Sequence, residues 1–260
     1  MKAVLLAAGL GSRMFPATKH QNKHLLPVYS QDGAVPMIYY PLHTLIASGL
    51  TDILIISSRE HCGRIMETLS DGYDFGCDFS YKIQDTQHVH MGIASALKIA
   101  KGFTNNEKFA MILGDNFFEN AVEKDVEWFS NNLVCQTSLF LKEVEDIHRF
   151  GCATLIDGKV SKIVEKPKEP ESNWAVTGMY FYTPHVYEVA DTIQLSDRKE
   201  LEITDINDYY CKNGTANGTI LQGFWSDMGT TDSMLRTETF LRQINYHAEF
   251  KAQTLESKLA

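Results

Sequence analysis

The stretch LAAGLGSRMFPATKHQNKHLLP, from Leu6 to Pro27, sets Gly9 and Gly11 directly ahead of Ser12 and Arg13 and follows them with Lys19 and Lys23. Glycines let backbone N–H groups approach an anion closely, and the cations behind them supply charge, so residue types in this order can hold phosphate. A Walker loop would need Gly-Lys-Ser/Thr, which is missing here. A dinucleotide fingerprint would need glycine or alanine at Met14 and a helix at once, where Pro16 intervenes. What remains is Gly9-x-Gly11-x-Arg13 with two lysines downstream, suited to a triphosphate whose charge is spread over several groups. A plain Gly-Ser turn with solvated lysines is the alternative.

Two carboxylates add to this. Asp115 in LGDN lies just past an apolar run, and Asp227 in WSDMGT lies in a turn before the final helical segment. Mg²⁺ favours one or two carboxylates together with substrate phosphate oxygens, so the pair can share one ion with a triphosphate. Asp-Asn and Asp-x-Gly are also ordinary turn formers.

A scaffold must bring loop, strand end and turn together. KAVLLAA (2–8) and DILIIS (52–57) are apolar runs of strand length, and PMIYYPLHTLIASG between them has helical spacing that stops at Gly49. CDFSYKI alternates as a strand, GIASALKIAKG reads as a helix closed by Gly102, and KFAMILGDN is a buried strand ending in a polar turn. TSLFLKEV follows as a strand after a helix from Glu119 to Asn131. This alternation predicts an α/β fold with a mostly parallel sheet covered on both faces. Open sheets of that kind bind ligands beyond the carboxyl ends of their strands, where the glycine loop falls.

From Gly151 the texture changes. GCATLIDGKVSKIVEKP predicts a hairpin about Asp157-Gly158, WAVTGMYFYTP a strand, LEITDINDYYCKNG a helix stopped by Gly214, TILQGF a strand, and Thr231 to Tyr246 a last helix. No repeat or low-complexity linker interrupts the chain. A single domain over 1–257 is expected, with a nucleotide-binding half at about 1–145, a second lobe at about 146–225 and a closing helix at about 230–246. Residues 258–260 carry no functional weight.

The 260 residues are 44% hydrophobic and 22% charged, with 24 Lys and Arg against 33 Asp and Glu and a net charge of −9. Such a field repels nucleic acid and anionic membranes, so neither is an expected partner and any phosphate site must be local. Cys62, Cys77, Cys135, Cys152 and Cys211 are scattered and odd in number, which predicts reduced thiols in a cytoplasmic protein rather than disulfides or a zinc site. The apolar segment after Lys2 is too short for a signal-peptide core, and no run reaches membrane-spanning length.

Taken in order, LAAGLGSR, NKHLLPV, PMIYYPL, LGDN, RFG, EKPKEP, AVTGMYFY, ELEITDIN and SDMGT cover nearly the whole chain. In these motifs the sequence resembles the sugar-1-phosphate nucleotidylyltransferases, most of all the short-form glucose-1-phosphate thymidylyltransferases. The resemblance implies a Rossmann-like core with a mixed sheet, flanking helices and a smaller sugar-binding lobe. It also implies Mg²⁺-dependent transfer of a nucleotidyl group from dTTP to glucose 1-phosphate by a homo-oligomer.

On that resemblance Arg13 grips the leaving pyrophosphate, Lys23 bridges α-phosphate oxygens, and Asp115 and Asp227 hold Mg²⁺. Leu6, Ala8, Gly9, Gly11 and Ser12 belong to the nucleotide site, and Gln84 with Gly92 reads the base. Lys166 pairs with the sugar phosphate, Glu165 accepts from sugar hydroxyls, and Gly151, Val176, Thr177 and Gly178 line the sugar pocket, with Thr204 or Asp205 nearby. Lys19 lies outside the motif and reads as a rim charge.

DTQHVHM, between Gln84 and Gly92, and YSQDGAV, before Pro36, are longer than in the relatives. His88 and His90 are expected to shape or cover the base pocket, since zinc normally takes three or four protein ligands. The extra C-terminal segment of the long forms is not carried over. Two alternatives stand beside the main reading: the same chemistry with UTP, CTP or another sugar 1-phosphate, and a catalytically silent binding protein. A nicotinamide dehydrogenase is disfavoured by Met14 and Pro16.

Overall fold

The structure is a computed structural model that describes residues 1–30, 33–85, 92–244 and 246. In chain order the elements are β1 (Lys2–Ala7), β2 (Pro27–Ser30), β3 (Gly33–Pro36), α1 (Tyr39–Ala47), β4 (Asp52–Ser58), α2 (Cys62–Leu69), β5 (Asp78–Gln84), α3 (Ile93–Thr104), β6 (Phe109–Leu113), β7 (Phe117–Phe118) and α4 (Glu123–Asn131). There follow β8 (Thr137–Glu143), β9 (Gly151–Ile156), β10 (Lys159–Glu165), β11 (Trp174–Tyr182), α5 (Val186–Ala190), α6 (Ile203–Lys212), β12 (Ala216–Ile220), β13 (Trp225–Ser226) and α7 (Thr231–Gln243).

A nine-stranded sheet has the path β10-β9-β11-β6-β1-β4-β5, with β8 on β11 and β12 on β8. β6, β1, β4 and β5 are parallel, whereas β11 is antiparallel to β6, β8 and β9. The sheet is therefore mixed, and its parallel part carries the two apolar runs that lack any polar face.

β1 shows why those runs are continuous. Val4 and Leu6 face a core shared with α3, α5 and α6, while Ala3, Leu5 and Ala7 face a second core under α1, α2 and α4. A strand covered on both faces has no solvent side to make polar. A third cluster joins Met14 and Leu26 to β2, Met228 and Leu241 of α7, so the loop after β1 has an apolar floor of its own.

Several boundaries depart from the sequence expectation. α3 runs through Gly102 to Thr104, because Thr104 is buried with its hydroxyl 2.7 Å from the Tyr187 hydroxyl; the stop comes at left-handed Asn105. The helix expected from Glu119 begins at Glu123, since Phe117–Phe118 is taken up by antiparallel pairing with Trp225–Ser226. The strand expected at TILQGF lies earlier, over Ala216–Ile220, where β8 offers an open edge. α7 starts at its predicted residue, fixed by a reciprocal Thr230–Ser233 cap, and ends at Gln243. The Asp157-Gly158 turn has both residues at positive φ, 50° and 75°, as its hairpin requires. All five cysteines are free thiols.

Candidate active site

The loop after β1 is pinned from two sides. Thr18 Oγ1 donates to the Gly11 carbonyl at 2.7 Å, and Asn22 Nδ2 donates to the Ala7 carbonyl at 3.1 Å. Gly11 sits at φ 66°, and a side chain there would meet Thr18 and Lys23 at about 3 Å. The same Asn22 accepts from the His24 amide and, at 2.6 Å, from His24 Nδ1, which therefore carries the ring proton. Burial, and after it the Lys23 charge, lowers the His24 pKa to about 3, so the imidazole is neutral. This brace aims Lys23 at the end of β6.

Asp115 follows β6 by way of Gly114, whose amide donates to the Leu6 carbonyl at 2.8 Å. Any Cβ on Gly114 would lie 2.8 Å from both that carbonyl and the His24 ring, so the turn admits only glycine without rearrangement. Lys23 Nζ and Asp115 Oδ2 form a short ion pair. Burial opposes the Asp115 charge, but the Lys23 charge and hydrogen bonds from Lys23 and Asn116 hold its pKa below the usual carboxylate value.

Asn116 ties three elements at one point. Its Nδ2 donates to Asp115 Oδ1 at 3.0 Å, while its Oδ1 accepts from the Gly178 amide at 3.0 Å and from Trp225 Nε1 at 2.8 Å. Trp225 opens the turn to Asp227, whose Oδ2 takes Arg149 Nη2 at 2.5 Å. Arg13 reaches the same turn, its Nη2 lying 3.0 Å from where a Cβ on Gly229 would stand.

β11 breaks register with β8 between Val176 and Tyr180, and Thr177 and Gly178 within the break border the site. Thr177 Oγ1 and Asn207 Nδ2 are buried with no hydrogen-bond partner among the described residues. The Asn207 amide is oriented by the Tyr182 hydroxyl, which donates to its Oδ1 at 2.6 Å. At the end of β10, Glu165 accepts from Thr204 Oγ1 at 2.5 Å and Arg198 Nη2 at 3.1 Å and pairs with Lys166 Nζ at 2.9 Å. Arg198 also grips Glu202 at 2.8 Å.

These groups line one cavity of about 500 Å³. All the residues expected at the nucleotide, sugar-phosphate and cation positions border it, including Gln84, whose Nε2 donates to the Gly92 carbonyl at 3.2 Å. Thr204 borders it as well. Asp205 and Lys19 do not; both are exposed on other surfaces. His88 and His90 lie outside the described residues, as do Gln31 and Asp32 of the other long loop. Sequence reasoning missed Asn116, Arg149, Arg198 and Asn207. The RFG and LGDN motifs contain the first two of these in plain view.

A model of the nucleotidyl transferase family matches residues 2–244. The chain belongs to that family. Its relatives include a Neisseria meningitidis glucose-1-phosphate thymidylyltransferase, 37% identical over 253 residues, covering 94% of this chain and 83% of the relative. A Bacillus anthracis crystal structure, provisionally described as a glucose-1-phosphate thymidylyltransferase in complex with sucrose, is 42% identical with a TM-score of 0.87, covering 96% of this chain and 98% of that one. A UDP-glucose pyrophosphorylase complexed with UDP-glucose shares the fold at 24% identity, with a TM-score of 0.77 and coverage of 92% and 97%. The protein is thus a nucleotidyltransferase with a Rossmann-like mixed sheet.

Among the described residues of this nucleotidyltransferase, no cluster of three or more His, Cys, Asp or Glu side chains could hold a metal unaided. Asp115 and Asp227 fit a hard cation shared with substrate phosphate, since each carboxylate already draws a cationic head to its Oδ2. No helix among the described residues is long and apolar enough to cross a membrane.

Proposed function

We propose that this nucleotidyltransferase joins dTTP to glucose 1-phosphate, releasing pyrophosphate and forming dTDP-glucose for surface-polysaccharide synthesis. The observation that carries the reading is that one cavity gathers every group the reaction needs. Its wall holds the Arg13–Lys23 loop, Asp115 and Asp227, and the Glu165, Lys166 and Arg198 cluster with the unpartnered Thr177 and Asn207.

The sugar phosphate oxygen attacks the α-phosphorus in line, and pyrophosphate departs from the opposite side. Both substrates are anions, so the protein has to hold like charges together and meet the charge that develops during transfer. Backbone groups of Gly9 and Gly11 receive the triphosphate, Arg13 holds its outer phosphates, and Lys23 exchanges Asp115 for an α-phosphate oxygen. Lys166 and Arg198 hold the sugar phosphate, releasing Glu165 to accept from sugar hydroxyls, while Thr177 Oγ1 and Asn207 Nδ2 offer donors that have no other use. Mg²⁺ between Asp115 and Asp227 would supply Lewis-acid neutralisation of phosphate charge.

Gln84 favours thymine or uracil, because an amide both donates and accepts as their edges require. UTP is the second reading for that reason. Five free thiols support a reducing, cytoplasmic setting. Pyrophosphate release with Mg²⁺, measured for dTTP, UTP, CTP, GTP and ATP each against a panel of sugar 1-phosphates, tests the assignment. Preference for dTTP with glucose 1-phosphate supports it, and silence with every pair would leave a binding protein.

A further inference from the structure

Arg149, Phe150, Trp225 and Asp227 border two cavities in common. The Arg149 guanidinium holds Asp227 Oδ2 at 2.5 Å where the 500 Å³ site meets a second cavity of about 380 Å³, whose wall also carries Glu143, Glu145 and Asp146. These three exposed carboxylates form no ion pair among the described residues. Two other cations face that cavity, Lys142 and Arg236, and Lys142 Nζ is already committed to the Gly223 carbonyl at 2.5 Å. The Arg149 guanidinium stacks 5.0 Å from the Phe150 ring centre, a flat surface on which a planar group can swing without losing its apolar contact.

The charge balance of the two carboxylates is the second observation. Asp115 is neutralised by Lys23 and Asp227 by Arg149, so the two carboxylates expected to take a divalent cation present no net negative charge to one arriving alone. Lys23 has an obvious destination, the α-phosphate. Arg149 must also move, because its place on Asp227 is the place the cation requires.

We propose that Arg149 is a latch on Asp227, closed in the free protein and opened into the acidic cavity when cation and triphosphate enter together. The inference rests on Asp115 and Asp227 being the cation ligands. It makes Arg149 a positioning residue that sets the order of loading: a divalent ion arriving without nucleotide is refused.

Mn²⁺ titration followed by the electron-spin signal of the free ion tests this without turnover. In the absence of nucleotide, Arg149→Met is expected to bind Mn²⁺ at least tenfold more tightly than the wild type. Arg149→Lys, which keeps the charge on Asp227, should stay near the wild type, and Arg149→Met with Asp227→Asn should lose the gain. With triphosphate present and no sugar phosphate, wild type and Arg149→Met should converge. A merely structural role for Arg149 cannot tighten Mn²⁺ binding, and Arg149→Gln serves the same purpose if the Met variant does not fold.

Equal or weaker Mn²⁺ binding by both neutral variants, with Asp227-dependent binding intact in the ternary mixture, overturns the latch and leaves the cation site standing. Loss of Asp227 dependence in every mixture overturns the cation site and the latch with it.

Discussion

Lys23 is paired with Asp115, the carboxylate that the proposed mechanism has it leave, and this decides how its removal should show. On that mechanism its contact with an α-phosphate oxygen would strengthen as charge develops in transfer, so Lys23→Ala should lower kcat by about 10²-fold or more and change the triphosphate KM much less. Initial rates of pyrophosphate release measure both. A change confined to KM would make Lys23 a ground-state anchor. His24, next along the chain, gives a pH signature of another kind. Its pKa is near 6.5 when unfolded and about 3 when folded, so between those values the unfolded chain holds a proton that the folded one lacks. Its contribution to stability is complete above pH 6.5 and is lost as pH falls toward 3, by up to about 1.4 kcal/mol per pH unit. Urea melts at pH 8, 6 and 5 should show the decline. His24→Asn, which keeps a donor for Asn22, should flatten it; an unchanged slope would assign the acid sensitivity to other groups.

At the scale of elements, the junction of β6, β11 and β13 is the working part, and Asn116 makes it. A Cβ on Gly178 would stand 2.6 Å from three Asn116 side-chain atoms, so Gly178→Ala must displace that amide and, through it, Asp115 and Trp225. Small displacements of positioned groups cost rate steeply. The expected outcome is a fall in kcat/KM of about 10²-fold with a melting temperature lowered by only a few degrees. Full activity would show that the junction tolerates the methyl group.

The same junction explains what could be read in advance. β1, β4 and β6 were legible because two-sided burial leaves only apolar residues, and the turn glycines 49, 158 and 214 were legible because their positive φ selects glycine. The extension of α3 past Gly102 was not, since it depends on Tyr187 arriving from a distant segment. Arg149 and Arg198 were passed over for a similar reason. A lone arginine in a loop looks solvated until the fold sets a carboxylate beside it, whereas Gly9, Gly11 and Arg13 carry their meaning in local spacing.

For the whole molecule, the question is whether the nucleotide half and the later lobe unfold together. β11 pairs with β6 through Met179–Tyr182, and with β8 along both its ends and β9 at Ala175 and Val176, so one strand belongs to both halves. The apolar core beneath it is likewise shared, running from Val4 and Leu54 to Ile163 and Tyr210. Separating the halves would expose that surface and break those pairings at once, which favours a single cooperative transition. A triphosphate at about a hundred times its Kd should stabilise the chain by about 2.7 kcal/mol and shift the entire transition upward by roughly 5–10 °C. Calorimetry with and without nucleotide distinguishes the cases. One peak moving as a whole supports a single domain over 1–257. A second peak that ignores the nucleotide would show the later lobe folding on its own, and the shared strand would then be a seam.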